Sequence, residues 1–103
     1  MPYIKEESRK LLDECIQNMG GCLTEGNQLT DDELISILGD INYTFSRVLG
    51  ICMGNPSYSK VAMITGVLEN IKQEFYRRIA APYEDQKILQ NGDIKEYRKV
   101  KNV

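Results

Sequence analysis

The chain has 103 residues, enough for one domain with a thin core, because a chain this short buries only about 60–65% of its extended surface on folding. Hydrophobic residues make up 42% and charged residues 27%, a globular composition that argues against disorder. A net charge of −2 argues against coating a DNA or RNA polymer, and the count of zero histidines excludes Ser-His-Asp and Cys-His triads and histidine-ligated metals.

The periodicity is helical almost throughout. Leu11, Leu12, Cys15, Ile16 and Met19 fall on one face of a first helix, which Gly20 and Gly21 are expected to stop. Residues 22–29 read as a loop of turn formers. Thr30-Asp31-Asp32-Glu33 fits a capping box, with two aspartates at the positive end of the helix dipole. From there Leu34, Leu38, Ile41, Phe45, Val48 and Cys52 alternate four and three apart, the seam of a long second helix. Gly39 lies inside it as a point of kinking or close packing, and Gly54-Asn55-Pro56 ends it.

Ser57 or Ser59 caps a third helix with Val61, Ile64, Leu68, Ile71, Phe75 and Arg78/Ile79 as its seam. It is expected to end near Ala81, since the residue before a proline disfavours the α region. Pro82 then opens a short fourth helix, with Ile88 and Leu89 facing inward, and Asn91-Gly92 closes it. The fold class expected is all-α: a small helical bundle of three main helices plus a short C-terminal helix. Residues 1–92 form a single helical domain, and 93–103 a tail packed on the domain or on a neighbouring subunit. Apolar side chains left on further faces (Ile35, Ile37, Met53, Met63, Val67) point to a homo-oligomer, a dimer or tetramer.

The three cysteines, Cys15, Cys22 and Cys52, are an odd count without C-x-x-C spacing, which argues against a disulfide framework or a zinc site. Cys15 and Cys52 lie on apolar faces and are expected in the core. Apolar runs stay well short of the roughly 18 residues that span a bilayer, and MPYIKEESRK has no apolar signal segment. A cytoplasmic protein with reduced thiols and no membrane partner is expected.

Charge is unevenly spread. Residues 1–56 carry 4 basic and 9 acidic side chains, a net of −5, whereas residues 57–103 carry 9 and 6, a net of +3. The basic half holds the densest polar cluster. Tyr76, Arg77, Arg78, Tyr83 and Lys87 set two phenol rings beside three cations around the expected helix break. Arginine forks suit phosphate oxygens, tyrosine faces stack on bases, and backbone N–H groups at a helix start attract anions. The same residues have a plain structural use: Glu74 and Arg78 form an i,i+4 pair, and tyrosines beside a seam cover a core edge. Asn42, Tyr43 and Arg47 form a second polar group, equally at home on a solvated helix face. The acids do not supply the paired i,i+3 core-facing carboxylates of helical two-metal pyrophosphatases, so no metal or other cofactor and no catalytic residue is expected.

Several stretches resemble a family of small, all-helical proteins found in phages and bacteria. They are MPYIK at the start, Gly39-Asp40-Ile41-Asn42-Tyr43-Thr44, Thr65-Gly66-Val67-Leu68-Glu69, and Glu74-Phe75-Tyr76-Arg77-Arg78. The similarity continues through Ala81-Pro82-Tyr83-Glu84-Asp85, Lys87 and Asn91-Gly92-Asp93. Small helical oligomers of this kind resemble phage sponge proteins of the anti-CBASS type, which sequester the cyclic nucleotide signals of bacterial immunity. That resemblance implies binding of a cyclic di- or trinucleotide without turnover. Arg77, Arg78 and Lys87 would meet phosphates; Tyr43, Tyr76 and Tyr83 would border or stack on bases; Asn42 or Asn91 would read a base edge; Arg47 stands beside Tyr43; and a neighbouring subunit would complete the pocket. Two other readings stand beside it: a protein-interaction module that uses the apolar surplus, and a nucleotide-processing enzyme.

Overall fold

In a computed structural model describing residues 3–98, every regular element is helical. The elements are α1 (Glu6–Thr24), α2 (Asp31–Ser36), α3 (Leu38–Met53), α4 (Tyr58–Phe75), a π-helical turn (Tyr76–Ala80), α5 (Ala81–Asn91) and α6 (Lys95–Arg98). The chain divides into two units, Met1–Thr65 and Gly66–Val103. Residues 1–2 and tail residues 99–103, part of the tail expected to pack on the domain or a neighbouring subunit, lie outside the described residues.

Each boundary has a local cause. Gly20 and Gly21 do not stop α1. A helical glycine costs only about 1 kcal/mol against alanine, and the left-handed residue that closes the helix is supplied later, by Glu25 (φ 54°, ψ 31°). Its N–H donates to the Gly21 carbonyl, and Gly26 follows at φ 75°. The capping box at Thr30 forms as the sequence predicts. The Glu33 N–H donates to Thr30 Oγ1 at 3.3 Å, and the Thr30 N–H donates to Glu33 Oε1 at 3.0 Å. The second helix is not continuous, however: it breaks at Ile37 (φ −109°, ψ 9°) into α2 and α3, two residues before Gly39. There the Ile37 N–H reaches back three residues to the Leu34 carbonyl at 3.1 Å, a tightened last turn. Gly54 (φ 63°) closes α3, and Ser57 Oγ accepts from the Lys60 N–H at 3.2 Å to begin α4.

The expected helix break before Pro82 is absent. Ala80 and Ala81 both keep helical dihedrals, and α4 runs through the π-turn into α5. Proline has no N–H to donate, and its ring crowds the carbonyl four residues back. The extra residue of the π-turn eases both: the Ala81 N–H donates to the Tyr76 carbonyl, five residues back. The tail after Gly92 begins with a one-turn helix, α6, held by Asp93. Its Oδ1 accepts from the Ile94 N–H at 2.8 Å, and its carbonyl accepts from Arg98 Nη2 at 2.8 Å.

The largest departure from expectation is the core. Among the described residues, none is buried. α2 meets α3 at their junction and the π-turn meets α5, but apart from the half-buried Ile41 and Ile64 the seam residues stay open. Leu38, Phe45, Leu68, Ile71 and Phe75 are all exposed, and so are Cys15, Cys22 and Cys52, all free thiols. The inward-facing positions read from the sequence are not enclosed: Leu89 is 83% exposed, whereas Ile37 and Met53, read as surplus, are half-buried.

Candidate functional site

The two polar groups fall in different units. On α3, Arg47 sits one turn after Tyr43, with its guanidinium carbon 5.9 Å from the Tyr43 ring centre, and Nη1 donates to the phenol oxygen at 3.1 Å. Tyr43, Ser46, Arg47, Gly50 and Ile51 line a shallow groove along this one helix. Asn42 accepts a weak hydrogen bond on its side-chain oxygen from Ser46 Oγ at 3.4 Å.

In the second unit, Tyr76, Tyr83 and Lys87 line one groove of about 460 Å³, with Ala81, Glu84, Asp85, Ile88 and Tyr97. The π-turn carries Tyr76 into it, and α5 presents Tyr83 and Lys87 one turn apart. Lys87 Nζ stands 5.5 Å from the Tyr83 ring centre, an exposed cation–π contact of about 0.5–1 kcal/mol. Tyr97 arrives from α6. No spacing rule in the sequence pointed to it, because it joins the groove only once the chain has turned at Gly92.

Arg77 and Arg78 do not line this groove. Both turn to Glu74: Arg77 Nη2 lies 3.0 Å from Oε1, and Arg78 Nη1 lies 3.9 Å from Oε2. The Glu74 side chain is only 19% exposed, against 69% and 57% for the two arginines. The i,i+4 pair was legible in the sequence; the tighter i,i+3 pair to Arg77 was not singled out. One carboxylate between two guanidinium groups leaves this group of three side chains with a net charge of +1. Asn91, the last residue of α5, lies outside the groove lining. The groove itself holds one cation and two carboxylates, so it offers aromatic faces and acceptors more than positive potential.

Among the described residues, no group of three or more Cys, Asp or Glu side chains is placed to hold a metal ion, and no helix is long and apolar enough to cross a membrane.

These features define a small all-α protein whose polar side chains gather on single helices and at one helix–turn–helix corner. Residues 1–94 match the domain of unknown function DUF6899, and the chain belongs to that family. The matched span contains every stretch on which the resemblance to small phage and bacterial helical proteins rests. No curated protein and no solved structure matches the chain.

Proposed function

We propose that this protein is a sponge: a cytoplasmic homo-oligomer that binds a cyclic di- or trinucleotide of the cGAMP type and holds it without cleavage, blocking CBASS-like antiphage defence from within the host cell. The observation that carries this reading is the α5 groove, where the rings of Tyr76, Tyr83 and Tyr97 share one surface with the Lys87 ammonium. Each base stacked on such a ring contributes about 1–3 kcal/mol. The carboxylates of Glu84 and Asp85 suit the amino groups of a base edge, since an ionised carboxylate only accepts hydrogen bonds. The phosphates go to Arg77 and Arg78, whose guanidinium planes match phosphate oxygens two at a time. Tyr43 and Arg47 repeat the ring-and-cation pairing on α3. Sequestration needs no nucleophile or general base, in keeping with a sequence without histidine.

Capture and release tests the reading. The purified protein is mixed with a panel of cyclic di- and trinucleotides, freed of unbound ligand, heated, and the released material chromatographed. Intact nucleotide is the expected result. Tyr83→Ala is expected to weaken retention by about 1–3 kcal/mol. If Arg77→Ala and Arg78→Ala both leave a titration unchanged, the phosphate assignment fails; a converted product would establish an enzyme instead.

A second reading, a protein-interaction module without nucleotide binding, is favoured by the exposure of large apolar side chains on every long helix. Capture of nothing on the panel, with stoichiometric copurification of a host protein, is the outcome that would select it.

A further inference from the structure

Glu74 is the last residue but one of α4, and Arg77 and Arg78 follow in the π-turn, three and four residues on. Side chains at those spacings are neighbours on a helix surface. The carboxylate divides its two oxygens between the two cations. Oε1 accepts from Arg77 Nη2 at 3.0 Å, and Oε2 lies 3.9 Å from Arg78 Nη1. Glu74 is also the least exposed of the three side chains, so the anion already seated on this arginine pair comes from the chain itself.

The carboxylate matters less to the helix than to a bound anion. An exposed ion pair at i,i+4 shifts a folding equilibrium by only about twofold. A carboxylate about 4 Å from a phosphate weakens its binding by roughly fivefold even at the dielectric constant of water, and by more where water is partly excluded. It takes up donors as well as charge. Nη2 takes part in both two-donor edges of a guanidinium, so Oε1 occupies one of the two edges by which Arg77 could hold a phosphate. Carboxylate and phosphate meet guanidinium groups in the same way, through paired oxygens. One can therefore replace the other on these arginines without rebuilding the helix.

We infer that Glu74 is an internal competitor at the arginine pair, which a ligand phosphate must displace, and that it thereby sets the affinity of the site. The inference rests on the assignment of phosphates to Arg77 and Arg78 in the reading above, and it concerns what regulates them. Inorganic pyrophosphate is the probe, because it presents phosphate oxygens without bases; titration calorimetry reads its binding. Glu74→Gln keeps the size of the side chain and removes its charge. It is expected to bind pyrophosphate about fivefold or more tightly than the wild-type chain, with the helical circular dichroism unchanged. Glu74→Ala is expected to do the same, and adding Arg77→Ala and Arg78→Ala to Glu74→Gln is expected to abolish the gain. Equal affinities, no binding to any of these chains, or a gain that survives the loss of both arginines would overturn the inference. Weaker binding by Glu74→Gln would also overturn it and make Glu74 a positioning residue for the arginines. The nucleotide panel is run on the same proteins. A gain for pyrophosphate with no nucleotide captured would uphold the competition and count against the sponge, whereas captured nucleotide with equal pyrophosphate affinities would do the reverse.

Discussion

Thr30 and Glu33 show how far one residue pair can be carried from sequence to energetics. The reciprocal hydrogen bonds of the box hold the Glu33 carboxyl below the ordinary glutamate value of 4.5, chiefly through the Thr30 backbone N–H and then its hydroxyl. The group's folded value is lowered, so its contribution to stability is present above the ordinary value and is lost as pH falls through the folded one. Thr30→Ala removes the N-cap acceptor, a loss of about 1 kcal/mol for caps of this kind, but keeps the backbone N–H, so it is expected to flatten only part of the loss of stability on acidification. Denaturant melts at fixed protein concentration across that pH range check both. Glu74 is the other instructive residue. The sequence pairs it with Arg78 alone, but one half-buried carboxylate engages Arg77 as well, so each arginine offers a ligand only part of its donor fork.

At the scale of elements, period was legible and punctuation less so. The 3,4 spacing of α3 and α4, the box at Thr30 and the stops at Gly54 and Gly92 were all readable, because each depends on side chains within one turn. Gly20-Gly21 and Ala81-Pro82 misled for one shared reason. A local penalty of one to a few kcal/mol does not by itself end a helix when a C-cap such as Glu25 lies further on, and a π-turn absorbs much of the proline's cost. The glycines lead to a direct expectation. Both lie inside α1, neither has a positive φ, and an added Cβ at either meets nothing within 4 Å. Gly20→Ala and Gly21→Ala should each stabilise the protein by about 1 kcal/mol, visible as a rise in Tm. A fall at either position would mark where a second helix approaches the α1 backbone closely.

At the scale of the molecule, the apolar residues have nowhere within either unit to go. Where folding and association are one event, stability depends on protomer concentration. Tenfold dilution is expected to lower Tm measurably in circular dichroism, whereas a chain stable by itself would melt at one temperature throughout. Assembly also bears on the candidate site. The α5 groove holds more acid than base and Arg77 and Arg78 are engaged with Glu74; on the proposed reading, cations of a neighbouring copy would add to those two arginines at the phosphates. The amino-acid sequence by itself determined the helical period, the caps and the identity of the polar cluster, since these depend on contacts among near neighbours in the chain. Only the tertiary structure decided that the helix runs on through Pro82, that Tyr97 joins Tyr76 and Tyr83, and that no unit encloses a core. Those outcomes depend on which surfaces meet, and a hydrophobic stripe specifies that it must be covered without specifying by what.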